Sequence, residues 1–190
     1  MYGYGGRILT VDVGTGAQRV EELDPTFARS YLGGNGFAAK LCFDRIPIGI
    51  DAFDPRNMVA VCTGPVTDSP IPGNSRGCMG GKSPLNGLFF DSTYGGRFPG
   101  AQRHTGFDAV VLVGAAAEPV YVVVEESGAT LKSAKDLWGK RTLETARASG
   151  QVSPGEYESI KAALLRLDRA QRDLAELEAR RKATGAKRPQ

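Results

Sequence analysis

Two cationic side chains lie in a segment of the sequence that is otherwise made of small and uncharged residues. Residues 72–87 read PGNSRGCMGGKSPLNG, and the charged positions are Arg76 and Lys82. Glycine lets backbone N–H groups approach a ligand closely, and guanidinium and ammonium groups attract phosphate oxygens. The composition of this segment therefore predicts a loop that binds a large anionic, phosphate-bearing cofactor.

Two familiar nucleotide-binding motifs are excluded. Gly80-Gly81-Lys82-Ser83 resembles the end of a P-loop, but Arg76 occupies the place of the first glycine of that motif and Pro84 follows it. The glycines at 3, 5 and 6 precede the first predicted strand, whereas a dinucleotide fingerprint follows a strand. The expected ligand is therefore neither a nucleoside triphosphate on a P-loop nor a Rossmann-bound dinucleotide.

Soft metal ligands are scarce in this sequence. The cysteines and the single histidine are Cys42, Cys62, Cys78 and His104, and there is no C-x-x-C pair. A four-ligand zinc site or an iron–sulfur cluster built from this chain alone is therefore excluded. We expect Cys78 to be buried and unreactive, and His104 to be structural because the sequence offers it no evident partner. No catalytic residue is assigned, since the nearest carboxylates, Asp91 and Asp108, are equally consistent with structural roles.

The composition is that of a globular protein. Of the 190 residues, 41% are hydrophobic and 24% are charged, and no apolar run approaches the roughly 20 residues that a membrane span needs. The first residues lack the layout of a signal peptide, which predicts a cytoplasmic protein. The net charge of +3 arises in residues 151–190, which contain nine Lys and Arg residues but only six Asp and Glu residues. Nucleic-acid binding by the rest of the chain is therefore not expected.

Short strands and brief helices predict an α+β fold for residues 1–150 and argue against a doubly wound sheet. A glycine turn between residues 7–13 and 18–22 is typical of a β-hairpin. Asp24-Pro25 is typical of a helix start, and a second helix is predicted after Gly33-Gly34-Asn35-Gly36. Apolar runs predict further strands at 58–62, 88–90, 108–113 and 120–124.

Residues 151–190 are predicted to form a separate helical tail. Ser153-Pro154-Gly155-Glu156 has the pattern of a capping box. Apolar residues follow at intervals of three and four, at Ile160, Ala163, Leu167, Ala170, Leu174 and Leu177. This spacing predicts an amphipathic helix over 153–183. Self-association, docking onto the same chain and a solvent-exposed helix are all consistent with the stripe, although its alanines argue against a strong zipper.

Between about Gly6 and Ala148, several short blocks of sequence follow one another in an order that matches a known protein family. They include Gly6-Arg7-Ile8-Leu9, Tyr31-Leu32-Gly33-Gly34, Thr63-Gly64-Pro65-Val66-Thr67, Lys82-Ser83-Pro84-Leu85, Gly95-Gly96, Thr105-Gly106-Phe107-Asp108 and Leu137-Trp138-Gly139-Lys140. In these blocks the sequence resembles the N-terminal domain of the aldehyde ferredoxin oxidoreductase family. Members of that family carry tungsten, sometimes molybdenum, on two pterins beside a [4Fe–4S] cluster.

The resemblance implies a β-rich domain whose two sheets form a base for the metallopterin. It places Arg76 between the pterin and the cluster, and it places the pair Gly95-Gly96 against the cofactor. Two residues before this pair the family has an asparagine that helps to hold magnesium between pterin phosphates. Here that residue is Thr93, whose hydroxyl is the candidate magnesium ligand. Gly77 and Lys82 complete the set of candidate cofactor-binding residues.

The activity implied by the resemblance is oxidation of an aldehyde to a carboxylic acid, with electrons passed through an iron–sulfur centre to ferredoxin. The cluster cysteines and the catalytic domains of the family have no counterpart in this sequence. The chain is therefore interpreted as a truncated or split member that works with a complementary catalytic subunit. The alternatives are a non-catalytic binding or oligomerisation module that reuses the pterin platform, and a gene fragment without a selected function.

Overall fold

The computed structural model describes residues 3–148, 150 and 153. The chain divides into two compact units, of which the first ends at Lys135 and the second begins at Asp136. The described part of the second unit contains helix α4 (Thr142–Ala148). The predicted tail helix over 153–183 and its self-association lie outside the described residues, apart from Ser153. The division into domains 1–150 and 151–190 also stays a prediction.

A mixed six-stranded sheet forms the centre of the first unit. Its strands are β1 (Arg7–Asp12), β2 (Gln18–Glu22), β3 (Met58–Thr63), β4 (Gly77–Lys82), β5 (Phe89–Tyr94) and β6 (Phe107–Val113). They lie in the order β2-β1-β6-β3-β4-β5, so β5 is an edge strand. Strands β1 and β6 are parallel, and every other neighbouring pair is antiparallel. A separate two-stranded hairpin follows, made of β7 (Val120–Glu125) and β8 (Gly128–Ser133).

The described helices of the first unit are short. They are α1 (Pro25–Tyr31), α2 (Asn35–Arg45) and α3 (Phe98–His104). The Asp24 carboxylate caps α1 by accepting hydrogen bonds from the N–H groups of Thr26 at 2.6 Å and Phe27 at 2.8 Å. This cap confirms the helix start predicted at Asp24-Pro25. Among the described residues, no helix combines the length and the apolar character needed to cross a bilayer.

Alternate side chains of the strands enter two apolar clusters on opposite faces of the sheet. On one face, Phe37 and Leu41 of α2 pack with strand residues such as Ile8 and Ala60. On the other face, Leu9 and its neighbours on β1 and β6 pack against partly buried side chains of the β7–β8 hairpin. The sheet with its short helices confirms the predicted α+β class, and β3, β6 and β7 match three of the predicted strands.

The loop predicted over residues 72–87 is wrong in its central part, because residues 77–82 form the interior strand β4. The glycines of this strand serve close packing. A Cβ atom on Gly80 would lie 2.9 Å from the Cβ of Ala38 in α2, and one on Gly81 would lie 2.6 Å from the carbonyl oxygen of Met58 in β3. Glycine at these positions therefore lets α2 and the neighbouring strand approach β4, a tertiary requirement that composition alone does not distinguish from ligand binding.

Candidate cofactor-binding site

Three strand termini meet at one end of the six-stranded sheet. The ladder pairs Gly77, which begins β4, with Thr63 at the end of β3 and with Tyr94 at the end of β5. Arg76 precedes Gly77 and Gly95 follows Tyr94, so these two segments leave the sheet side by side. Five of the six predicted site residues therefore lie close together. We call them the site end of the sheet: Arg76, Gly77, Thr93, Gly95 and Gly96.

Two hydroxyl groups hold the chain segments of the site end together. The Thr67 Oγ1 donates a hydrogen bond to the carbonyl oxygen of Arg76 at 3.0 Å and accepts one from the N–H of Gly64 at 3.1 Å. The Ser75 Oγ donates to the carbonyl oxygen of Gly96 at 2.5 Å. These bonds tie the backbone around Arg76 to the end of β3 and to the glycine pair. Neither hydroxyl was predicted as part of the site, although Thr67 is the last residue of one of the blocks that carry the family resemblance.

Two guanidinium groups are exposed at this end of the sheet. Arg76 and Arg97 form no ion pair or side-chain hydrogen bond with any other described residue. By contrast, the Arg103 guanidinium lies 2.9 Å from the Asp108 carboxylate. Unpaired positive charge on an exposed surface attracts phosphate and other anions. Arg97 was not among the predicted site residues; its position directly after the glycine pair is the signal that marks it.

The glycine pair borders open space. A Cβ atom on Gly96 would have no atom within 4 Å, and the φ of Gly96 is +74°, a backbone conformation that favours glycine. A Cβ atom on Gly95 would contact only the carbonyl oxygen of Ser75, at 3.4 Å. The side chain of Thr93 is exposed one residue before Tyr94. The segment 93–96 therefore offers an exposed hydroxyl and accessible backbone to a ligand.

Gly77 has a different role from the glycine pair. A Cβ atom on this residue would overlap the ring of Tyr94, so glycine makes room for the tyrosine across the strand pair. Burial raises the pKa of the Tyr94 hydroxyl well above its usual value, and the hydroxyl is therefore a neutral hydrogen-bond donor at physiological pH.

Lys82 lies at the opposite end of β4 from Arg76. Six residues at about 3.3 Å each place their Cα atoms roughly 20 Å apart. Lys82 pairs with Phe89 and lines an apolar groove of about 570 Å³ between α2 and the β4–β5 pair, together with Phe43 and Leu88. The prediction that Arg76 and Lys82 lie in one ligand-binding loop is therefore wrong, because strand β4 separates them.

His104 has a partner that the sequence does not reveal. Its Nε2 lies 2.8 Å from the Oδ2 of Asp68, and both side chains are exposed. Asp68 has a φ of +62°, which is uncommon for a residue other than glycine. The pair links the end of α3 to the loop that precedes Arg76. The structural role expected for His104 stays a prediction. The 36-residue separation explains why spacing did not indicate the contact with Asp68.

The three cysteines are buried and free. Burial raises the pKa of Cys42 to about 11, raises that of Cys62 well above its usual value and raises that of Cys78. Across residues 3–148, 150 and 153 no group of three or more His, Cys, Asp or Glu side chains is arranged to hold a metal ion. Cys62 and Cys78 are directly opposed on β3 and β4, inside the apolar cluster beneath α2.

We expect the three thiols of the native protein to react with a disulfide reagent at pH 8 at least roughly a hundredfold more slowly than those of the unfolded chain. Burial blocks access, and the raised pKa values reduce the thiolate fraction that attacks the reagent. Release of the chromophore from the reagent, measured with and without guanidinium chloride, tests this. Rapid reaction of even one thiol in the native protein contradicts the burial described here.

A family profile described as "Aldehyde ferredoxin oxidoreductase, N-terminal domain" matches residues 8–162, which is more than half of the chain. The chain belongs to the aldehyde ferredoxin oxidoreductase family. The tungsten-containing aldehyde ferredoxin oxidoreductase of Pyrococcus furiosus is 34% identical over 145 residues, which cover 76% of this chain and 24% of that protein. The corresponding enzyme of Pyrococcus horikoshii is 33% identical over 147 residues, which cover 77% of this chain and 24% of that protein. The resemblance identified from the sequence is thus confirmed.

Two further similar proteins have names that describe a subunit or a complex. The WOR-like subunit of the aliphatic sulfonate oxidoreductase of P. furiosus is 24% identical over 147 residues, which cover 76% of this chain and 23% of that protein. The active-site complex BamBC of benzoyl coenzyme A reductase superposes with a TM-score of 0.75 at 29% identity, over 79% of this chain and 23% of that one. The chain spans about a quarter of the length of the curated relatives it matches.

Proposed function

We propose that this chain supplies one face of the metallopterin site of a tungsten-pterin oxidoreductase. The observation that carries the proposal is the convergence of Arg76, Thr93 and the glycine pair at one end of the sheet, with the Arg76 guanidinium exposed and unpaired among the described residues. Membership of the aldehyde ferredoxin oxidoreductase family and the tungsten in the names of its relatives support the same cofactor.

The residues of the site end fit a phosphorylated pterin. Arg76 and Arg97 offer planar guanidinium groups that can donate paired hydrogen bonds to phosphate or to a pterin ring. Gly95 and Gly96 leave the backbone accessible on the side where a Cβ atom on Gly96 would meet nothing. When bound, the cofactor supplies a metal that takes up two electrons from the substrate. The residues of this chain orient the cofactor and balance its negative charge, and we assign them no proton transfer.

Thr93 is the residue of this chain that would be a ligand to a magnesium ion bound with the cofactor. Its exposed hydroxyl lies beside the glycine pair, where a cation bound to phosphate oxygens requires further oxygen ligands. Because one hydroxyl leaves most of the coordination shell to phosphate and water, the magnesium is expected to bind together with the cofactor. Lys82 is not part of this proposal, since β4 separates it from the other residues.

The reaction proposed for the whole enzyme is the conversion of an aldehyde and water to a carboxylic acid, with release of two protons and two electrons. The electrons pass through an iron–sulfur centre to ferredoxin. We propose that a complementary catalytic part holds that centre and the acid–base groups, because the chain matches only about a quarter of its relatives' length and its cysteines are buried. The similar proteins whose names describe a subunit or a complex support such an arrangement.

Replacement of Arg76 by alanine should weaken binding of molybdopterin by about 10- to 100-fold, since charge-assisted hydrogen bonds to an anion contribute roughly 1.5–3 kcal/mol. The measurement is anaerobic titration of the full chain with molybdopterin, followed by pterin fluorescence. Magnesium is included, because the Thr93 site is expected to form only with the phosphate bound.

Two variants serve as controls for this titration. Arg29→Ala removes an exposed arginine from the last turn of α1, and Lys82→Ala removes a cation roughly 20 Å from Arg76 along β4. Both should bind molybdopterin like the wild-type chain. Equal affinity of the Arg76→Ala and wild-type chains, or no binding by the wild type, contradicts the proposed function.

A further inference from the structure

We propose that Tyr94 and Gln102 are positioning residues for the segment 93–96, which the proposed function places against the pterin. The inference rests on that function and assigns a role to two side chains that do not themselves face the open space beside Gly96. Tyr94 stands between Thr93 and Gly95 in the sequence, so whatever holds Tyr94 also holds the residues on either side of it.

A chain of two hydrogen bonds connects Tyr94 to the interior of the sheet. The Tyr94 hydroxyl lies 2.7 Å from the Oε1 of Gln102, and the Nε2 of Gln102 lies 2.9 Å from the carbonyl oxygen of Val61 in β3. Because the amide Nε2 must donate to Val61, the Oε1 can only accept, and the tyrosine is the donor. The donor and the acceptor are thus determined for both hydrogen bonds.

Packing restricts the same side chains. Gln102 in α3 is only 6% exposed, and the Tyr94 ring lies against the backbone of Gly77 on one side. The ring of Phe98 contacts that of Tyr94 edge-on, with 5.3 Å between centroids. Within the sheet, the edge strand β5 pairs with β4 alone. The link through Gln102, together with a longer contact of 3.5 Å from the Tyr94 hydroxyl to the carbonyl oxygen of Cys62, attaches the end of β5 to the body of the domain a second time.

The attachment explains how an edge strand can present a ligand-binding segment in a defined position. An edge strand without a second attachment opens more readily than the strands it borders, because fewer contacts hold it. The Tyr94–Gln102–Val61 link holds the end of β5 at the residues next to the glycine pair. Loss of the link should therefore loosen 93–96 and weaken pterin binding while leaving the rest of the sheet in place.

The test compares Tyr94→Phe and Gln102→Leu with two matched controls. Tyr4→Phe removes a hydroxyl that donates to the carbonyl oxygen of Leu32 at 2.9 Å. Gln18→Leu removes an amide that donates to the carbonyl oxygen of Ala129 at 2.6 Å and accepts from its N–H at 2.7 Å. Each control loses the same chemical groups as its counterpart, at a place away from β5.

Amide hydrogen exchange of the full chain without pterin is the first measurement. In Tyr94→Phe and Gln102→Leu, exchange over residues 89–96 should increase about tenfold, the effect of one lost hydrogen bond, while exchange over β1 and β6 stays as in the wild type. Neither control should change exchange over 89–96. Unchanged exchange in both site variants overturns the positioning role.

Titration with molybdopterin is the second measurement, and it separates positioning from general stability. The dissociation constant should rise about tenfold in both site variants and stay unchanged in the controls, even where the melting temperatures fall equally. Faster exchange with unchanged affinity overturns the proposal, because the position of 93–96 is then irrelevant to binding. Absence of binding by the wild-type chain overturns the proposed function itself. The wild-type titration therefore tests the proposed function, and the comparison of variants tests the positioning role.

Discussion

Replacement of Asp108 by alanine should lower the free energy of unfolding by about 3–5 kcal/mol, the range for removing one partner of a buried ion pair. The Asp108 carboxylate is 1% exposed and accepts hydrogen bonds from the N–H groups of Gly5 at 2.9 Å and Gly6 at 2.7 Å. It also pairs with the largely buried Arg103 guanidinium at 2.9 Å. Its loss leaves two N–H groups and one cation without their acceptor.

Urea unfolding at pH 7, monitored by circular dichroism, measures this effect. Asp91→Ala is the matched control, because the Asp91 carboxylate is exposed and accepts a single hydrogen bond from the Asn35 side chain at 3.0 Å. Its removal should change the unfolding free energy by no more than about 1 kcal/mol. Similar losses in the two variants would show that Asp108 is not the buried anchor described here.

Replacement of Gly77 by alanine should lower the free energy of unfolding of the domain by about 1–3 kcal/mol. The same substitution should also reduce the affinity for molybdopterin. The added Cβ atom overlaps the Tyr94 ring, so the ring or the strand pair must move. Either movement displaces the residues on both sides of Tyr94. Thermal unfolding and the pterin titration measure the two effects on one preparation.

Gly64→Ala is the control for this substitution. Gly64 lies just beyond the end of β3, where a Cβ atom would meet only the Thr67 hydroxyl at 4.0 Å. The same added methyl group is therefore expected to change stability by less than about 1 kcal/mol and to leave pterin binding unchanged. A Gly77→Ala protein as stable as Gly64→Ala would contradict the close contact with Tyr94.

Local patterns in the sequence were sufficient for much of the fold. The Asp24 cap depends on residues within three positions, and its hydrogen bonds form as predicted. The apolar runs at 58–62, 108–113 and 120–124 form strands as their composition predicts; the first two are largely buried, and the third is half-exposed. These features are determined by residues close together in the sequence, so a short stretch of sequence is enough to predict them.

The candidate site was only partly predictable. Arg76 was predicted from the composition of residues 72–87 and Gly95-Gly96 from the family resemblance, whereas Arg97 and Ser75 were not assigned to the site. The link from Tyr94 to Gln102 depends on where α3 packs, and α3 was not predicted from the sequence. A hydrogen bond between side chains on different elements leaves no periodic pattern from which spacing could reveal it.

The sequence by itself determined the family, the α+β class and the presence of cationic side chains and glycines between residues 72 and 97. Only the tertiary structure decided which of them lie together. Strand pairing brings Arg76 beside Gly95, 19 positions later in the chain, and moves Lys82, six positions away, to the far end of β4. The physical reason is that an extended strand separates sequence neighbours by about 3.3 Å per residue, whereas its hydrogen-bonded ladder brings distant residues within about 5 Å.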